Sequence, residues 1–107
     1  MWILLNDACL SIVEHNGKTD TLLVRSRIQG DIERAIPNAT VYEDGSADYR
    51  YRADVSRETV KGAIAQAIDR IDYANFKGSV RDPGRHSAYM KVWKVLAEAF
   101  GAYGQKT

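Results

Sequence analysis

The sequence predicts an α+β domain: an antiparallel sheet of about four to five strands, in the order βββαββαα, with two longer helices packed on one face. Three observations carry that expectation. Residues rich in β-branched and aromatic side chains crowd the first half of the chain, at 9–15, 21–27 and 49–54. The turn-forming pairs Asn16-Gly17 and Asp44-Gly45 fall before the last two of these runs. From Ser56 onward, apolar residues recur at helical spacing.

Each element follows from its local chemistry. Residues 2–5 (Trp-Ile-Leu-Leu) are apolar without alternation, which suits a strand buried on both faces. Residues 9–15 and 21–27 flank Asn16-Gly17, a pair that tolerates positive φ, and predict a hairpin. Asp31 opens a short helix over 31–36, where its carboxylate would cap free N–H groups, and Pro37 ends it. Residues 40–43 and 49–54 form a second β unit across the turn at 44–48. Ser56 caps a helix whose apolar stripe is Val60, Ala63, Ile64, Ala67, Ile68 and Ile71. A short helical turn is expected near residues 73–76. Asp82-Pro83 then reads as N-cap and first residue of a final helix reaching about Phe100.

Composition bounds the class. A chain of 107 residues fits one domain, 1–107, with 45% hydrophobic and 27% charged residues, close to the globular average. The formal charge of +1, from 15 basic and 14 acidic side chains, argues against indiscriminate coating of nucleic acid. It leaves room for a local basic patch. The single cysteine, Cys9, allows no internal disulfide, so a reducing, cytoplasmic setting is expected. The first residues lack the basic flank and long apolar run of a secretory signal, and no run is long enough for a membrane span.

Catalytic signatures are absent from the motifs. There is no phosphate loop and no Gly-x-Ser-x-Gly elbow. His15 and His86 stand apart, with no Cys/His cluster to hold a metal, so neither a cofactor nor a metal is expected. Asp7, beside Asn6, reads first as a turn residue.

The basic and aromatic residues come in spaced sets instead. In Tyr49-Arg50-Tyr51-Arg52 the period of two sends the tyrosines to one face and the arginines to the other. Ala53 and Val55 share the tyrosine parity, so the tyrosines are expected to face the helices and Arg50 and Arg52 the opposite side. Leu22 and Val24 look core-facing, which turns Arg25 and Arg27 outward. Four arginines would then line one sheet face and grip carboxylate or phosphate with paired N–H donors. The plainer alternative is a solvated face whose arginines pair with Glu14 and Glu43.

A second set runs from Tyr73 to Tyr89, with Asn75, Phe76, Lys77, Arg81, Arg85 and His86 between them. It reads either as a binding loop or as rings plugging the junction between two helices. The third feature is the final helix, whose apolar positions include Tyr89, Val92, Trp93, Val95, Leu96, Ala99 and Phe100. Met90, Trp93 and Phe100 widen that stripe beyond what one neighbour covers. They suit a second copy or a captured partner helix, unless the helix over 56–71 and the sheet cover them from two sides.

Trp2-Ile3-Leu4-Leu5-Asn6-Asp7-Ala8, Leu23-Val24-Arg25 and Gly30-Asp31-Ile32-Glu33-Arg34 form a recognisable pattern. It continues in Asp48-Tyr49-Arg50-Tyr51-Arg52-Ala53, in 71–77 (Ile-Asp-Tyr-Ala-Asn-Phe-Lys) and in 86–93 (His-Ser-Ala-Tyr-Met-Lys-Val-Trp). The chain so resembles a group of small uncharacterised bacterial and phage proteins. The resemblance implies a bacterial or mobile-element origin and carries over no functional residue. By analogy of size and source, it suggests a stoichiometric inhibitor of host defence, of the anti-CRISPR kind.

The expected function is therefore non-enzymatic binding, with a protein partner first. A small RNA- or DNA-binding domain using the arginine face is the alternative. An enzyme or nucleotide-binding domain with His86 or Asp7 in its site is the third reading.

Overall fold

In the computed structural model, which describes residues 1–104, all five strands join one antiparallel sheet. They are β1 (Trp2–Leu4), β2 (Cys9–His15), β3 (Lys18–Ser26), β4 (Tyr42–Glu43) and β5 (Tyr51–Ser56). Their spatial order is β1-β2-β3-β5-β4. The helices are α1 (Asp31–Ala35), α2 (Arg57–Asp69), α3 (Phe76–Ser79) and α4 (Pro83–Gly104). The expected α+β order thus holds, with α2 and α4 as the two longer helices. Cα packing gathers Met1–Asp72 into one unit and the chain from Tyr73 into another.

Within Met1–Asp72 the hairpin turn is the one Asn16-Gly17 encodes, with φ of 50° and 77°. Pairing starts at His15 opposite Lys18, then shifts through a bulge between Glu14 and His15. Past the bulge Ile12 lies opposite Val24, and Val24 lies opposite Ala53. This rung, with Leu10 and Val55, meets Ile32, Ala35 and Ile36 around α1 and Val60 of α2 in one apolar core. Burial of such side chains is worth about 1.5–3 kcal/mol each before entropy is counted.

Capping follows the sequence in two places and departs from it in a third. Ser56 Oγ accepts the Thr59 N–H at 3.1 Å and starts α2. Asp82 Oδ2 accepts the Arg85 N–H at 2.9 Å ahead of Pro83. At α1 the N-cap is Gly30, in the left-handed region at φ 91°, and the Asp31 carboxylate turns elsewhere. A Cβ at Gly30 would meet only the tip of the Arg34 side chain, so it is the backbone conformation that favours glycine.

Two strands differ from expectation. β1 is an edge strand paired only with β2, and Trp2 is 79% exposed rather than buried. A continuous apolar run does not say how many neighbours a strand has. β5 begins at Tyr51, so Tyr49 and Arg50 lie outside the strand and the alternation in 49–52 does not reach them.

Candidate functional site

The sheet register builds the site. Trp2 lies opposite Ser11, Ser11 opposite Arg25, Arg25 opposite Arg52, and Arg52 opposite Tyr42. Directly opposed residues of antiparallel strands share a face. One straight row therefore crosses all five strands on the face turned away from α1 and α2. Arginines occupy the central strands β3 and β5, and aromatic rings occupy both edges. Trp2 is exposed, as is Tyr42 at 45%.

Around this row the arginines are held by neutral partners. Arg25 Nη2 donates to Ser11 Oγ at 2.7 Å. Its guanidinium also lies 4.6 Å from the centroid of the Tyr49 ring. Arg27 lies 4.4 Å from the same centroid and donates to the Asp48 carbonyl at 3.1 Å. Arg52 Nη1 donates to the Tyr49 carbonyl at 3.3 Å. Among the described residues none of these three arginines forms an ion pair with a carboxylate. Arg25 Nε is buried there with no hydrogen-bond partner.

The fourth arginine behaves differently. Arg50 Nε lies 3.5 Å from Glu43 Oε1, both well exposed, so the expected pairing with Glu43 forms. Such a surface pair is worth little. Glu14 forms no ion pair with an arginine among the described residues.

Two acids border the row. Asp54 Oδ1 lies 3.6 Å from His15 Nε2 and 3.5 Å from the Tyr42 hydroxyl. Asp44 accepts from the Ser46 hydroxyl at 2.7 Å and the Ser46 N–H at 3.1 Å. These bonds, the side-chain one foremost, and the positive charge of Arg52 hold its carboxyl below the ordinary Asp range.

Tyr51 packs against the core as the alternation requires. Tyr49 does not face the helices; it lies with Arg25 and Arg27. Outside the strand the period of two no longer sets where a side chain goes. Sequence reasoning also missed Trp2, Ser11 and Tyr42 as members of this face. The parity of Trp2 and Tyr42 was readable, but which strands they border was not.

In the unit from Tyr73, rings pack between α3 and α4. Phe76 stacks on Tyr89 with centroids 5.9 Å apart, and Tyr73 tilts against Phe76 at the same distance. Asn75 Oδ1 accepts the Gly78 N–H at 3.1 Å and starts α3. Lys77 Nζ lies 4.2 Å from the centroid of Trp93. Arg85 is buried, and its Nη1 donates to the Tyr89 hydroxyl at 3.3 Å. Arg81 is exposed and His86 half-buried. Among the candidate interface residues Met90 is half-buried, while Trp93 and Phe100 are exposed. Val92, Val95 and Leu96 are exposed beside them.

Asp7 is exposed, and its carbonyl accepts from Arg34 Nε at 2.8 Å. Among the described residues no three His, Cys, Asp or Glu side chains gather as metal ligands would, and no helix is long and apolar enough to cross a membrane. Comparison with protein-family models, curated proteins and solved structures finds no match to this chain.

Proposed function

We propose that the chain is a non-enzymatic binding domain that acts by occupying an anionic surface of a partner, using the face that carries Arg25 and Arg52. One observation supports this above the others. Arg25 and Arg52 are directly opposed across two paired strands, and among the described residues neither forms an ion pair with a carboxylate. Like charges opposed in a sheet are destabilising. The Tyr49 ring and Ser11 position Arg25 without neutralising it. An anion from outside relieves that repulsion, and arginine is the cation suited to grip it with paired donors.

The small size of the chain suits a particular form of this reading, a phage or mobile-element inhibitor of host defence. A cytoplasmic, stoichiometric inhibitor that covers part of a host defence complex needs one committed surface and no chemistry. The test is the double substitution Arg25→Glu and Arg52→Glu, assayed by pull-down from a host-like lysate against wild type. Loss of every captured partner with an unchanged circular dichroism spectrum is the expected outcome. Undiminished capture by the folded variant refutes the assignment.

A further inference from the structure

We infer that the anionic partner is single-stranded nucleic acid, its bases stacking on Trp2 and Tyr42 and its phosphates held by Arg25 and Arg52. The inference rests on the reading that this face takes an anion, and it names which anion.

Four inter-strand steps separate Trp2 from Tyr42 in the sheet order, about 19 Å at the usual strand spacing. Along that line an exposed ring, the buried Ser11 that braces Arg25, two guanidinium groups and a second exposed ring follow one another. A single strand presents the matching pair of features, flat bases and regularly spaced phosphates. Exposed rings serve every base, because each has a π-face, and arginines serve the backbone. A duplex offers no free base faces to the rings.

The arrangement of the row favours this partner over an acidic protein. Protein interfaces cluster their anchors, aromatic and arginine alike, near the centre. In this sheet the rings stand apart from the arginines. The arginines sit on the central strands, and the rings sit on β1 and β4 at the edges. Trp2 is the most exposed large apolar side chain among the described residues. It lies on the shortest path from one edge of the sheet to Arg25, through Ser11 alone. The near-neutral net charge of +1 fits a short local site rather than a coat.

The experiment titrates the full chain against a fluorescein-labelled dT octamer, the matching duplex, and polyglutamate of similar charge, at several salt concentrations. Wild type is expected to bind the single strand and not the duplex. Its log-log salt slope should be about −1.4, for two phosphates neutralised on a single strand. In a Trp93→Phe background, which leaves Trp2 as sole tryptophan, the octamer should quench emission. Trp2→Ala and Tyr42→Ala should each weaken binding about tenfold while the melting curve stays in place. Failure of the octamer to bind at low salt overturns the inference, as does binding that neither ring substitution alters. Polyglutamate binding that is lost in Arg25→Glu/Arg52→Glu, without octamer binding, overturns this inference alone and leaves the broader reading intact. Absence of binding to any of the three anions overturns both.

Discussion

Asp31 Oδ2 accepts the backbone N–H of Cys9 at 2.9 Å, so the first residue of α1 is tied to the first residue of β2. Asp31 is wholly buried, and its other oxygen pairs with Arg34 one turn on. Arg34 in turn donates to the Asp7 carbonyl at 2.8 Å. A helix of five residues does not persist alone. This chain of bonds, together with the burial of Ile32 and Ala35, is what holds it.

Removing the carboxylate takes this acceptor from the half-buried Cys9 N–H. Arg34 is partly exposed and can turn to water, which limits the damage. Asp31→Ala should therefore lower stability by about 2–3 kcal/mol, and Asp31→Asn by roughly half of that, since an amide oxygen still accepts. Urea unfolding at neutral pH measures both. An Asp31→Ala midpoint equal to wild type would show that the burial of α1 suffices without the clamp.

Tyr49 serves two guanidinium groups at once, and a double-mutant cycle separates its share. Tyr49→Leu keeps much of the apolar area and removes the ring. Paired with Arg27→Ala, the coupling should be about 0.5–1 kcal/mol, the worth of one cation–π contact near a surface. Thermal melts of the four proteins supply the numbers. Zero coupling would mean that Arg27 is held by its bond to the Asp48 carbonyl alone.

The turn at Asp44 carries a pH dependence with a definite sign. The folded state holds the Asp44 carboxyl below its ordinary range, chiefly through the Ser46 hydroxyl. A carboxyl depressed in the folded state stabilises the fold above its unfolded pKa, and that contribution fades as pH falls through the folded value. Ser46→Ala should move the Asp44 titration upward, towards the ordinary Asp range, and shrink the contribution. Carbon-detected NMR titration of the side-chain carboxyl reads this directly. An unchanged midpoint in Ser46→Ala would assign the shift to the backbone N–H of residue 46 and to Arg52 instead.

Several elements were legible because their signals are local. Asn16-Gly17 needs positive φ, Ser56 and Asp82 offer oxygens to the next turn, and Leu22, Val24, Tyr51, Ala53 and Val55 carry the period of two. Those features alone set the hairpin, the starts of α2 and α4, and the outward turn of Arg25 and Arg52.

The composition of the site needed the tertiary structure. Extended from His15 opposite Lys18, a regular ladder would put Ile12 opposite Thr21. The bulge moves its partner three residues along, to Val24. An odd slip exchanges the two faces of a strand relative to its neighbour. Burying Ile12 with Val24 is what selects the shift, and it brings Ser11 against Arg25. Likewise, only strand order makes Trp2 and Tyr42 the ends of one row, because the pairing of β3 with β5 joins the β1-β2-β3 ribbon to the β4-β5 ribbon. Local chemistry decided which way the arginines point; the burial of apolar residues far apart in the chain decided what stands beside them.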